Sequence, residues 1–154
     1  MVKILIIDDE AAAGNIHKIL IEKYITRPVE IRYCDNARDG LDLLPAFLPT
    51  LVMLDIQMPN MNGFDFLSQA SGYNFDVIFT TAFDQYAIKA IRFSALDYLL
   101  KPIDVIELQH AVNRHIVKHQ EKGQQLLVTN LLSNLQKNDA LDFKLALSTM
   151  ERNL

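Results

Sequence analysis

Disulfide pairing, a long apolar run and an excess of basic charge are all missing from this sequence. Its single cysteine, Cys34, excludes an internal disulfide framework and fits a reducing compartment. The first apolar run, Ile4-Leu5-Ile6-Ile7, meets Asp8, Asp9 and Glu10 after four residues. That is too short for a signal-peptide core or a membrane span, so a soluble cytoplasmic protein without membrane contact is expected. The formal net charge of −4 speaks against a general binder of phosphate backbones. No internal repeat or biased tract breaks the chain. What is there is 154 residues, 50% hydrophobic and 22% charged, the composition of an ordinary folded domain with little left over. A chain of this length buries roughly 70% of its unfolded surface, enough for a real core.

Short apolar runs alternate with longer amphipathic stretches. Residues 4–7 predict a strand, and the helix after it carries Ile16, Ile19, Leu20 and Tyr24 on one face. Arg27-Pro28 breaks that helix, and residues 29–33 predict a second strand. Asp35 is the expected N-cap of a second helix through Leu41 and Leu44, which Pro45 and Pro49 bring to a close. Leu51-Val52-Met53-Leu54 is a continuous apolar run, as a strand covered on both faces requires, and it ends in Asp55. Pro59 and Gly63 mark a turn before a short helix at 64–70, and residues 77–80 form the fourth apolar run. Asp84 is read as a cap, with Phe83 and Ile88 at hydrophobic-staple spacing. A short fifth strand at 97–100 ends in Lys101-Pro102. Asp104 then caps another helix, with Glu107 three residues on and Ile103 and Leu108 as a second staple.

Five strand-then-helix units imply an α/β fold, a doubly wound five-stranded parallel sheet with flavodoxin-like order 2-1-3-4-5. From about Glu121 the pattern changes. Val128, Leu131, Leu132 and Leu135 have helical spacing, so the last helix either extends or restarts after Gly123. That apolar stripe suits a dimer helix or a cover for another domain. Asn138-Asp139 is an expected break, and residues 143–147 read as a lone strand, which is not a stable unit by itself. The expected division is a domain at 1–121, a helical linker at 122–139 and the start of a second, truncated domain at 140–154.

In a parallel sheet the ligand site lies beyond the carboxyl ends of the strands, where the strand order reverses. Asp8 and Asp9 follow the first strand, Asp55 ends the third, Thr80-Thr81 end the fourth and Lys101 ends the fifth. Strands one and three are neighbours in the expected order, so three carboxylates crowd one crevice, which is unfavourable unless a cation joins them. An all-oxygen site with room for water suits Mg²⁺. A carboxylate beside Mg²⁺, a lysine and a hydroxyl make a phosphoryl-transfer site, with Asp as nucleophile and the cations neutralising the transferring oxygens. A single strand-terminal Asp is ordinarily a cap or turn former, so the co-occurrence at matching strand ends carries the reading.

Those residues carry a resemblance. Ile6-Ile7-Asp8-Asp9-Glu10, Leu54-Asp55-Ile56-Gln57-Met58-Pro59 with Gly63, Thr81-Ala82 and Tyr98-Leu99-Leu100-Lys101-Pro102 resemble the receiver domain of two-component response regulators, over residues 1–121. The resemblance implies that Asp55 accepts a phosphoryl group from a sensor histidine kinase and that the chain's catalysis extends to self-phosphorylation and slow autodephosphorylation. It implies that Asp9 binds Mg²⁺ directly, Asp8 mainly through water, and that the Gln57 backbone carbonyl is a further ligand beside Asp55. Lys101 would contact the phosphoryl oxygens, and the Lys101-Pro102 bond would be cis. Thr81 and Tyr98 would form the switch, the Thr81 hydroxyl drawn inward and Tyr98 turning from an outward to an inward rotamer, which biases the α4–β5–α5 face and a homodimer through it.

Residues 79–87 and 95–102 resemble more specifically the LytR/AlgR-type (LytTR) transcription regulators, and residues 144–151 are similar to the first strand of their DNA-binding domain. That implies DNA binding and transcription regulation through parts mostly absent from this chain. From Asp104 onward six basic and six acidic residues balance, so this stretch carries no DNA-binding patch of its own.

Two other readings compete. A Mg²⁺-dependent aspartyl phosphohydrolase of the haloacid-dehalogenase-like kind would carry a second Asp two residues after its nucleophile, where this chain has Gln57. A degenerate receiver acting as a docking module is disfavoured by Asp8, Asp9, Asp55, Thr81 and Lys101 together. His115 and His119 share a helical face near His110 but lack a third ligand, so they are read as solvated. Cys34 is read as structural, because nothing basic adjoins it, and Met58 and Met61 as packing residues of the turn.

Overall fold

A computed structural model describes residues 1–136. The elements run β1 (Val2–Ile7), α1 (Ala11–Tyr24), β2 (Val29–Cys34), α2 (Ala37–Phe47), β3 (Leu51–Asp55), α3 (Gly63–Gln69), β4 (Asp76–Thr81), α4 (Ala87–Arg92), β5 (Asp97–Leu100) and α5 (Val105–Leu135). The sheet has the order β2-β1-β3-β4-β5, and each neighbouring pair is parallel. The expected fold is therefore the observed one.

Residues alternate between the faces of a strand, so one apolar run serves two cores. Leu5, Ile7, Val52, Leu54 and Phe79 face α2, α3 and α4, where they meet Leu44, Phe64, Phe66 and Ala90. Ile4, Ile6, Leu51, Met53 and Ile78 face the other way and meet Ile21, Leu108, Val112 and Ile116 of α1 and α5. Burying each of these large side chains is worth about 1.5–3 kcal/mol relative to leaving it in water, which is why β1 from Ile4 to Ile7 and β3 from Leu51 to Leu54 are continuously apolar. The chain divides into a compact unit Met1–Ile116 and a second that begins at Val117. Helix α5 runs without restart past Gly123. Among the described residues no helix is long and apolar enough to cross a membrane. The break at Asn138-Asp139 and the strand at 143–147 lie outside the described residues.

Several local expectations are corrected. Helix α1 buries Gly14, His17 and Ile21, whereas Ile16 and Ile19 are 54% and 59% exposed. Of the apolar stripe expected from periodicity, Ile16, Ile19 and Tyr24 face solvent and only Leu20 packs against the second core, because the close approach of α1 to Tyr33 selects glycine on the buried side. The α2 cap is Asn36 rather than Asp35, its side chain accepting from Asp39 N at 2.8 Å. Pro45 sits inside α2, and the helix ends at Leu48, which takes φ 50° while its N–H reaches Leu44 O at 2.9 Å.

Asp84 is not a cap. Helix α4 starts after Tyr86, with Phe83 40% and Ile88 71% exposed instead of stapled. Asp104 does cap α5, accepting from Ile106 N at 2.8 Å and Glu107 N at 3.1 Å. Leu108 is buried in the second core and Ile103 packs partly buried against it. His110 is exposed, but His115 is buried, with Nδ1 2.8 Å from Asp76 Oδ2 and Nε2 2.9 Å from Thr50 Oγ1.

Candidate functional site

The carboxyl ends of β1, β3, β4 and β5 open on one side of the sheet. Asp8 follows β1 with no exposure, Asp55 closes β3 at 5% exposure, and Asp9 is exposed at the rim. One oxygen from each lies within 4.8 Å of the other two. Lys101, just after β5, places Nζ 2.7 Å from Asp8 Oδ2 and 3.5 Å from Asp55 Oδ2. The Lys101-Pro102 bond is cis. Three acids thus face one ammonium.

Each position has a local cause. Asp8 Oδ1 accepts from Glu10 N at 2.9 Å, a turn that leads the chain into α1. Gly63 N donates to Ile56 O at 2.9 Å. A Cβ on Gly63 would stand 2.6 Å from the Asp55 carbonyl oxygen, so only glycine lets α3 come this close behind the acidic strand end.

The electrostatics follow from burial and crowding. Burial pushes the Asp55 carboxyl up to about 7, Lys101 opposes the shift, and Asp8 and Asp9 add to it. Burial works to lower Lys101, but Asp8 and Asp55 outweigh it and hold the ammonium above its ordinary value. His17 of α1 is buried at 3%, and its Nδ1 has no hydrogen-bond partner. Burial lowers its pKa, against the pull of Asp8. The Cys34 thiol is pushed up to about 11 by burial and by Asp39 and Asp35, which keeps it unreactive.

Thr81 and Tyr98 meet at one residue. Thr81 is fully buried, and its Oγ1 accepts from Phe83 N at 3.3 Å. The Tyr98 ring packs 6.4 Å from Phe79, and its hydroxyl donates to the Phe83 carbonyl. Thr80 is also a buried residue of β4. Gln57 is exposed in the turn after Asp55, and its side-chain amide donates to the Tyr86 hydroxyl at 2.7 Å.

Asp8, Asp9, Asp55 and Lys101 therefore form one cluster, with Thr81 at the adjacent strand end and Tyr98 joined to it through Phe83. The sequence reading missed three neighbours. These are His17, which a helical stripe hides, Tyr86, which looks like a core aromatic, and Tyr33, whose hydroxyl donates to Asp8 O at 2.6 Å. Nothing local marks Tyr33 apart from other strand aromatics.

The fit to a divalent cation rests on the donor set. Hard carboxylate oxygens outnumber the cation beside them, and Asp9 leaves the cluster open to water, which suits Mg²⁺ better than a soft metal.

Comparison with known proteins agrees with this geometry. Residues 4–113 match the response regulator receiver domain. The transcriptional regulatory protein BtsR of Escherichia coli is 34% identical over 131 residues, covering 84% of this chain and 54% of that protein. The sensory transduction protein LytT of Bacillus cereus is 36% identical over 127 residues, covering 80% of this chain and 50% of that one. The chain thus spans about half the length of these curated relatives. Among solved structures, the REC domain of AraT, a response regulator from Geobacillus stearothermophilus, superposes with a TM-score of 0.67 at 30% identity. The match covers 80% of this chain and 99% of that one. With the acidic cluster at the switch point of a 2-1-3-4-5 sheet and a family match over most of its length, the chain belongs to the response regulator receiver domain family.

Proposed function

We propose that this receiver domain accepts a phosphoryl group on Asp55 from the phosphohistidine of a sensor histidine kinase. The observation that carries it is the meeting of Asp8, Asp9 and Asp55 within 4.8 Å beside the Lys101 ammonium. In this reading an Asp55 oxygen attacks phosphorus, the P–N bond to the donor imidazole breaks, and the released ring nitrogen takes a proton. Asp8, Asp9, Asp55 and the Gln57 backbone carbonyl would hold Mg²⁺. The ion would neutralise charge on the transferring oxygens. Lys101 does the same from the side of β5.

Thr81 and Tyr98 carry the response. Both are tied to the Phe83 backbone, one to its N–H and one to its C=O, so movement of the Thr81 hydroxyl is felt at Tyr98. Phe83, Ile88, Ile91, Leu100 and Ile106 are all exposed on α4, β5, α5 and their connections. We assign that α4–β5–α5 face to a phosphorylation-dependent homodimer. Sedimentation with and without beryllofluoride and Mg²⁺ tests it, and an unchanged monomer counts against it.

The output is assigned to LytTR-type DNA binding and transcription regulation. The resemblance of residues 79–87, 95–102 and 144–151 supports this, as does the likeness to BtsR, a transcriptional regulatory protein, and LytT, a sensory transduction protein. In that arrangement residues 1–121 form the receiver, 122–139 the linker and 140–154 the start of the output domain.

Acetyl phosphate with and without Mg²⁺, followed by mass mapping, tests the whole reading, with Asp55→Asn as control. A Mg²⁺-dependent, base-labile adduct on Asp55 is expected. Steady phosphate release without a lasting adduct would instead indicate the phosphohydrolase. No adduct on a folded, cation-binding chain would indicate a docking module.

A further inference from the structure

Asp8 is held at its main chain from β2 as well as at its side chain. Its N–H donates to the Cys34 carbonyl at 3.2 Å, and its C=O accepts from the Tyr33 hydroxyl at 2.6 Å. The carbonyl matters because of what is rigidly attached to it. Its oxygen lies in the same plane as the N–H and Cα of Asp9. Fixing that oxygen fixes the plane, and with it the N–Cα bond of Asp9, leaving rotation about that one bond to direct the Asp9 side chain.

Asp9 needs such help. Asp8 and Asp55 are walled in at 0% and 5% exposure, whereas Asp9 is an exposed carboxylate at the rim of the same cluster. An exposed side chain on an unpinned peptide samples many directions, and ordering it on a cation costs conformational entropy. A peptide plane already anchored leaves less to order.

Gly14 is the seat that makes the anchor possible. A Cβ there would lie 2.3 Å from Tyr33 Cε2 and 2.8 Å from Cδ2 and Cζ, closer than packed atoms approach. With no side chain at Gly14, the Tyr33 ring lies against the helix, and its hydroxyl reaches across from β2 to the end of β1. The ring packs against the second core, so its position is not set by the hydroxyl alone.

We infer that Tyr33, seated on Gly14, is a positioning residue for the acidic site, aiming the Asp9 carboxylate at the cation by holding the Asp8–Asp9 peptide. This rests on the cation-assisted reading of the site given above. Tyr33 touches neither the phosphoryl group nor the ion in this role; it acts through the Asp8 carbonyl.

The test is a calorimetric Mg²⁺ titration of the full 154-residue chain and its Tyr33→Phe, Gly14→Ala and Tyr73→Phe variants. Asp9 amide resonances are recorded without metal, and phosphorylation by acetyl phosphate is followed at low and saturating Mg²⁺. Tyr33→Phe keeps the ring and removes the hydroxyl. It should weaken Mg²⁺ binding about 10-fold, as loss of a ligand-orienting partner does. It should also move the Asp9 amide resonance and leave the rate at saturating Mg²⁺ within about twofold of wild type. Gly14→Ala, which displaces the ring but keeps the hydroxyl, should weaken binding in the same direction. The exposed Tyr73→Phe should change neither quantity.

Wild-type affinity in Tyr33→Phe with an unmoved Asp9 amide would overturn the inference. So would a rate that saturating Mg²⁺ does not restore, because that describes a general loss of structure. A wild-type chain that takes no Mg²⁺ at all would instead overturn the underlying reading of the site.

Discussion

Lys101 stands closer to Asp8 than to Asp55, with Nζ 2.7 Å from one carboxylate and 3.5 Å from the other. The two acids share one cation, and the side chain reaching them from β5 is itself only 18% exposed. Removing it leaves three carboxylates facing one another. Lys101→Met should lower the melting temperature without divalent cations by roughly 3–6 °C. Added Mg²⁺ should return most of that stability. The phosphorylation rate should stay about 10²-fold down, because a donor aimed at the transferring oxygens is gone. Thermal melts and acetyl phosphate kinetics with and without Mg²⁺ check both parts; a rate near wild type would remove Lys101 from the chemistry.

Asp55 makes the stability of the metal-free chain depend on pH. Its carboxyl is raised to about 7 in the folded protein, chiefly by burial, and ionises near 4 when unfolded. Between those values the folded chain keeps a proton that the unfolded chain has lost. The stability from that proton is fully present below the unfolded value and is lost as pH rises through about 7. In a chelating buffer, wild type should gain on Asp55→Asn as pH falls from about 8 to about 6. His17, lowered by burial, acts in the opposite sense below its ordinary 6.5, but it is present in both chains and cancels in the difference. Urea unfolding across this range measures the gap, and a gap independent of pH would contradict the raised carboxyl.

Gly63→Ala tests how tightly α3 is set behind the acceptor. The new Cβ would face the Asp55 carbonyl oxygen at 2.6 Å and Ile56 Cα at 3.2 Å, both main-chain atoms that cannot rotate away. A loss of about 2 kcal/mol is expected from overpacking. The acceptor end of β3 should be displaced with it, so adduct formation should fall even where the variant is folded. Chemical denaturation and mass mapping check this. Unchanged stability would mean that α3 is free to move back.

The His115 network is expected to serve stability and not the acceptor chemistry. It joins α5 to Thr50, just before β3, and to Asp76, the first residue of β4. These are the amino ends of the strands, opposite the acidic cluster. His115→Leu should cost about 2 kcal/mol, because the partly buried Thr50 and Asp76 each lose a partner. Modification of Asp55 by acetyl phosphate, measured well below the melting temperature, should remain within about twofold of wild type, since the altered contacts touch none of the reacting groups. A much larger fall would show that the two ends of the sheet are coupled.

The strands and the acids at their ends were legible because each depends on local pattern. An apolar run of four residues, closed by Asp8 or Asp55, reads the same before and after folding. Parallel pairing then places those ends on one side of the sheet. Asp104 was legible as a cap for the same reason, since its bonds reach only two and three residues along the chain. Helix α1 was not, because exposed and buried stripes both contain apolar residues, and a glycine and a histidine line the buried one. His115 was misread as solvated, because its partners lie 39 and 65 residues away.

By itself, then, the sequence determined the alternation of strands and helices, the strand order and the meeting of Asp8, Asp9, Asp55 and Lys101. Periodicity, chain handedness and the rule for ligand sites in parallel sheets leave little freedom there. Tertiary structure decided the rest. It set the seat of Tyr33 on Gly14, the bond from Tyr33 to the Asp8 carbonyl, the shared hold of Thr81 and Tyr98 on Phe83, and the burial of His115. Each is a contact whose geometry depends on how two elements pack, and packing distances are fixed by the assembled core, not by the residues of either element alone.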